Sequence, residues 1–197
     1  MKPDRLNALT DGVVAIVLTI MVLELKIPAE PTLRAVLAVL PLLAAYLLAF
    51  VYVAIYWNSH HHMMHAVAHV NGAVMWANLH VLFWLSLFPF TTSWLAESQP
   101  LPAPVPTALY GFVLLMASLA WIPLSRTLIA ANGGLQGKLA RATGGKRDWK
   151  AMVSPPVYLA AIVLAFFAPI LSCVLYAVVA AIWFIPDRRI EKKIVKS

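Results

Sequence analysis

The chain reads as long apolar blocks separated by short polar or proline-rich breaks. From Gly12 to Leu23 there is no charged residue, and Thr19 supplies the one hydroxyl. That block, 8–27, is followed by others at 33–58, 73–96, 106–131, 153–169 and 171–187. Each falls in or near the range of about 17–25 residues that crosses a bilayer as a helix. Pro28 and Pro31 punctuate the first break, and Gln99-Pro-Leu-Pro-Ala-Pro-Val-Pro marks the third, with Pro106 suited to a helical first turn. Asn132-Gly-Gly ends the fourth block, and Pro123 predicts a kink inside it. Pro169 implies a tight turn between the last two blocks, although 153–187 also fits one kinked segment. The expected fold is all-α: a polytopic membrane protein of six transmembrane helices, forming one bundle over residues 1–197.

Composition agrees with that pattern. The chain is 62% hydrophobic and only 12% charged, with a mean hydropathy of +0.82, which excludes a soluble domain. The single cysteine, Cys173, allows no internal disulfide and leaves the redox compartment unread. A net charge of +7 raises the question of nucleic acid, but basic loops facing anionic lipid account for it, and no nucleic-acid partner is expected. With six spans, the N-terminus, the 2–3 and 4–5 loops and the C-terminus share a side. All Lys and Arg except Lys26 and Arg34 lie there, so both termini are expected in the cytoplasm of a multi-pass cell-membrane protein. Asp11 within the first block, and no small-x-small site after it, argue against a cleaved signal peptide.

The first helix is the unusual one. It opens with Arg5 and Asp11 at a membrane boundary, where ionisable groups are expensive and point to function or a specific buried partner. At helical spacing Leu9, Gly12, Ile16, Thr19, Ile20 and Leu23 fall within one stripe roughly 100° wide. Asp11 lies about 140° from Ile16 around the axis, so it is expected to point into the subunit, with Val17 and Val22 toward lipid. An aliphatic stripe suits lipid contact or core as well as a pore wall that gates by dewetting, and the spacing alone does not separate them.

Three ordered motifs carry a resemblance. Arg5-x-x-x-Leu9-Thr10-Asp11 followed by Gly-Val-Val-Ala-Ile-Val-Leu-Thr is similar to the opening signature of the transmembrane protein 175 family of potassium channels, with Leu9 and Thr10 standing for its Phe and Ser. Tyr46, Phe50 and Tyr56-Trp57-Asn58-Ser59-His60-His61 resemble that family's second-helix ending. Trp76-Ala-Asn78-Leu and Leu87-Phe-Pro89-Phe90-Thr-Thr resemble its third helix. The resemblance spans residues 5–97. It implies a potassium-permeable cation channel whose first helix lines the pore. Ile16, Ile20 and Leu23 would form the constriction, and Thr19 a hydroxyl layer for cation preference. Arg5, Thr10 and Asp11 would join Trp57, His60 and Asn78 in a structural polar network. The bland reading of the charged pair is Arg5 snorkelling to headgroups with Asp11 as a helix N-cap. Double-length eukaryotic relatives resemble two fused six-span units, so this single unit is expected to assemble as a homotetramer. Potassium and other monovalent cations would permeate, with no cofactor. The chain contains no Thr-Val-Gly-Tyr-Gly carbonyl filter, so preference for potassium should be modest.

Histidines supply the competing chemistry. His60, His61, His62, His65 and His69 crowd one helix end. His61, His65 and His69 could hold zinc or nickel, or the cluster could sense pH; a solvated helix end explains the same residues, and no metal is expected. His80 is expected as a satisfied histidine inside the bundle. A secondary transporter of a metal ion or proton-coupled solute is the alternative these residues suggest, though interrupted half-helices are missing. An enzyme is not expected: Asp11, Glu24 and Glu97 are the only candidate acids, and they form no catalytic constellation.

Overall fold

A computed structural model describes residues 2–28, 30–137, 139–140 and 149–184. The elements in order are α1 (Asp4–Leu23), α2 (Leu33–Met64), α3 (Gly72–Ser86), α4 (Phe88–Glu97), α5 (Pro104–Ala131), a 3-10 turn (Gly134–Gln136), α6 (Trp149–Leu164) and α7 (Pro169–Phe184). The fold is all-helical, and no strand occurs among the described residues. By length and apolarity α1, α2, the continuous run Gly72–Glu97 and α5 are each able to cross a membrane, while α6 and α7 are shorter apolar helices.

The boundaries move from the sequence pattern for local reasons. α1 starts at Asp4, well before the apolar block, with an acidic residue in its first turn where the helix dipole favours one. Asp11 therefore lies inside the helix and caps nothing. α2 runs on to Met64 and carries His60, His61 and His62 as helical residues. Its start is fixed by Thr32, whose hydroxyl accepts from the Ala35 amide. The third block is two helices: α3 stops at Ser86, and α4 begins with Pro89 in its first turn, where no N–H is required. α5 starts at Pro104, two residues before the apolar block, and Pro106 stays within its first turn as expected. At the far end Gly133 and Gly134 have φ of +93° and +60°, the left-handed conformation that lets a chain leave a helix without a Cβ clash. The last block divides into α6 and α7 at Pro169.

α5 is the central post. It packs on α3, α4, α6 and α7, while α2 packs on α1, α4 and α7. Tyr110, Val113, Leu114, Ala117, Ala120, Leu124 and Leu128 recur at three- and four-residue spacing along its buried face. Beside them four tyrosines meet. The Tyr52 hydroxyl donates to the Tyr176 carbonyl at 2.6 Å, Tyr158 donates to the Tyr52 oxygen at 3.3 Å, and Tyr176 donates to the Thr107 carbonyl at 3.1 Å. The Tyr110 ring sits 5.8 Å from that of Tyr176. Aromatic bulk here is admitted by Gly111, since a Cβ built at that position would overlap the Tyr176 hydroxyl.

Chain ends sort into two layers. Asn132, after α5, accepts from the amides of Ala68 and His69 in the loop after α2, and Trp183 near the end of α7 donates to Ser154 near the start of α6. At the opposite layer Lys26 pairs with Glu97 at 2.7 Å, and Ser93 donates to Glu24 at 3.3 Å. Gly111→Ala is expected to cost about 1–3 kcal/mol through overpacking, lowering the melting temperature in detergent by several degrees. Gly72→Ala, with open space at its Cβ position, is expected to melt like the wild type.

Candidate functional site

α1 divides lengthwise. Leu6, Thr10, Val14, Val17 and Met21 are buried, at successive steps of four, four, three and four residues, and this face packs on α2, α3 and α4. The opposite face is bare: Ile16 is 60% exposed, Ile20 42% and Leu23 76%, against 3% for Val17. Leu9, Gly12 and Thr19 lie on the same exposed side. Val17 therefore belongs to the core and not to a lipid-facing surface, whereas Val22 is exposed as expected. Thr19 donates its hydroxyl hydrogen back to the Ala15 carbonyl at 2.8 Å. With its donor satisfied within the helix, the Thr19 oxygen keeps acceptor capacity on the exposed side.

The polar side chains of α1 fall into two groups. In the buried one, Thr10 donates to the Leu6 carbonyl at 3.0 Å and accepts from the Asn78 amide at 2.9 Å. The Asn78 oxygen in turn lies 3.1 Å from His60 Nε2, so the neutral ring with hydrogen on Nε2 satisfies the whole chain. Thr10, Asn78 and His60 come from α1, α3 and α2 and are all buried. The second group sits at the exposed edge, where Trp57 Nε1 donates to Asp11 Oδ1 at 2.8 Å. Asp11 is itself exposed and does not point into the subunit. At 100° per residue it stands between the bare stripe and the packed face, beside α2. Arg5 is exposed and joins neither group among the described residues. Six residues place Arg5 and Asp11 roughly 120° apart around the helix, too far to share a partner on α2.

The histidines separate likewise. His60 is committed to Asn78, while His61 and His65 approach within 2.9 Å through their Nε2 atoms. His69 instead belongs to the loop held by Asn132. Among the described residues no three histidine, cysteine or acidic side chains gather as a metal site, so the candidate ligands His61, His65 and His69 do not come together. His80 is exposed with its ring 6.4 Å from Trp84, outside the bundle rather than satisfied within it. Sequence patterning missed the stacking of Trp57 on His61 at 5.4 Å; their spacing of one helical turn is the signal that could have found it.

Comparison with known proteins decides the family. A potassium channel of Chryseobacterium sp. (strain P1-3) is 44% identical over 194 residues, covering 98% of both chains. This chain belongs to the TMEM175 family. The model of that family, described as the endosomal/lysosomal potassium channel TMEM175, matches residues 5–89, the stretch that holds α1, the Trp57–His60 turn and Asn78. A potassium channel of Streptomyces collinus is 34% identical over 72% of this chain and 74% of that protein. The fold matches the crystal structure of a lysosomal potassium-selective channel TMEM175 homolog from Chamaesiphon minutus, with a TM-score of 0.79 and 26% identity. That match covers 91% of this chain and 95% of the other. The TMEM175 family is one of potassium channels, so the enzyme and transporter readings fall away.

Burial ranks the two polar groups. Asn78→Ala strands the His60 N–H in an apolar interior, at about 1–3 kcal/mol for an unsatisfied buried group, while Thr10 keeps its bond to the Leu6 carbonyl. Asp11→Ala breaks one exposed contact, of the order of 1 kcal/mol. Melting in detergent should therefore drop further for Asn78→Ala than for Asp11→Ala; the reverse order would place the main clamp at Asp11.

Proposed function

We propose that residues 1–197 form a single six-span subunit of a homotetrameric, potassium-permeable channel of the cell membrane, with α1 of each subunit walling the pore. The observation that carries this reading is the bare aliphatic face of a helix whose opposite face is fully packed. A half-buried α1 encloses nothing by itself, and closed cyclic symmetry is the usual way for several copies to surround an axis. Ile16, Ile20 and Leu23 would meet their counterparts as successive rings about one turn apart, narrow enough to exclude water and oppose ions without a separate lid. Thr19 would contribute a ring of hydroxyl oxygens between them, each with its lone pairs free for a partly dehydrated cation. Potassium would be preferred because it surrenders water more readily than sodium, and the preference should stay modest without a carbonyl filter. Both termini would be cytoplasmic, with the basic loops against the inner leaflet.

Thr10, Asn78 and His60 would hold α1 at the rotation that keeps these rings on the axis, with Trp57–Asp11 steadying its edge. Arg5, on the outward arc, would be solvated or bound to a neighbouring subunit rather than to Asp11.

Three measurements test the proposal. Native mass of the detergent-solubilised protein should correspond to four chains; a monodisperse monomer or dimer would sink the pore. In liposome flux matched for protein amount, Ile16→Asn should wet the constriction and raise conductance several-fold, while Thr19→Ala should keep current and reduce the potassium-over-sodium permeability ratio. Cysteines at positions 16, 20 and 23 in a Cys173→Ser background should react with aqueous thiol reagents. Unreactive cysteines together with wild-type flux through Ile16→Asn would refute the pore assignment.

A further inference from the structure

The His61–His65 pair is left unused by the pore reading. His61 lies on the last turn of α2 and His65 caps that helix one turn on; both are exposed, with their Nε2 atoms 2.9 Å apart. Two imidazole nitrogens this close repel if both present bare lone pairs, so in the metal-free protein one ring shares its N–H hydrogen with the other in an N–H···N hydrogen bond. The distance also carries geometric information. Two nitrogens each about 2.0–2.1 Å from one metal ion stand roughly 2.9 Å apart at a right angle and roughly 3.3–3.4 Å apart at the tetrahedral angle. A pair held this close reaches cis ligation at a right angle, the arrangement of square-planar or tetragonal Cu2+ and Ni2+, with less movement than the wider tetrahedral spacing needs.

We propose that His61 and His65 form a chelating site for one such divalent transition-metal ion per subunit, Cu2+ or Ni2+ in preference to Zn2+. The ion replaces the shared proton and water completes its coordination sphere, since no third histidine, cysteine or acidic side chain joins the pair among the described residues. The Trp57 ring stacks on His61 at 5.4 Å, nearly parallel at 19°, which fixes the plane of one ligand before the metal arrives. Preorganisation of that kind separates a site from two mobile surface histidines. His62 lies beside the pair, its ring centre 6.0 Å from that of His61, and takes no part in the 2.9 Å contact.

The test is Cu2+ titration of the full-length channel, purified without a polyhistidine tag, in a weakly chelating glycine buffer. It is followed by calorimetry and by electron paramagnetic resonance. One Cu2+ per subunit with nitrogen superhyperfine splitting from two imidazoles is expected. Losing even an outer-shell partner weakens metal sites about 10–100-fold, so His61→Ala and His65→Ala should each weaken binding at least about tenfold and the double variant should remove the site. His62→Ala should bind as the wild type does. All three positions are solvent-exposed, and wild-type melting temperatures would verify that each variant is folded. Wild-type stoichiometry and affinity in the His61→Ala/His65→Ala double variant would overturn the proposal. So would a loss in His62→Ala as large as that in His65→Ala.

Discussion

The rotation of α1 about its own axis is set by three hydrogen-bonding side chains. Within a bilayer, lipid tails satisfy an aliphatic helix face as well as another helix does, so apolar burial alone gives α1 little preference for one orientation. Thr10, Asn78 and His60 remove that freedom. Each is buried, and each would be costly without its partner in an apolar interior. Turning α1 by even one residue's worth of angle would carry Thr10 away from Asn78 and leave the amide unsatisfied. Val14, Val17 and Met21 then complete a packed face whose register the polar contact has already chosen, and Ile16, Ile20 and Leu23 are left outward as its complement.

A second constraint holds the scaffold that receives α1. Tyr52 reaches from α2 to the α7 backbone, and Tyr176 reaches from α7 to the α5 backbone. The contacts are hydroxyl-to-carbonyl, so helices are joined through main-chain groups that tolerate little displacement. Gly111 makes the second reach possible by leaving room where any side chain would overlap the Tyr176 hydroxyl. Because His60 follows Tyr52 by two turns on the same helix, fixing α2 through the tyrosines also fixes the far end of the polar chain that orients α1.

Much of this was legible from residue order. Apolar block lengths gave the helices, and the motifs around Asp11, Trp57 and Asn78 marked side chains that do meet across helices. What periodicity could not supply is an absolute rotation. It placed Asp11 about 140° from Ile16, which led to the expectation of Asp11 pointing into the subunit and Val17 toward lipid; Asp11 lies at the boundary instead, and Val17 is core. His80 was misplaced for a related reason: two residues along a helix is roughly 200° of rotation, so a buried Asn78 puts His80 on the outside. The metal triad failed at His69, which lies past the end of α2, where helical spacing no longer applies. The break before Pro89 was visible as a proline in an apolar run, but a first-turn proline and a kinking proline look alike until the helix start is known.

In the proposed arrangement, the division between the two polar groups bears on how such a helix would wall a pore. A carboxylate on the pore axis would bind cations strongly, and a strongly bound ion leaves slowly, which opposes conduction. Asp11 instead accepts from an indole N–H at the edge of α1, off the aliphatic stripe. The buried chain, by contrast, involves neutral groups alone: a hydroxyl, an amide and an imidazole. Orientation of α1 is thus obtained without placing a net charge inside the subunit, and the outward face is free to be almost wholly aliphatic. Between Leu9 and Leu23 Thr19 is the one polar side chain on that face, and its donor is turned back into the helix. The outward face therefore offers no hydrogen-bond donor between Ile16 and Leu23, leaving only oxygen lone pairs, which favour cations over anions.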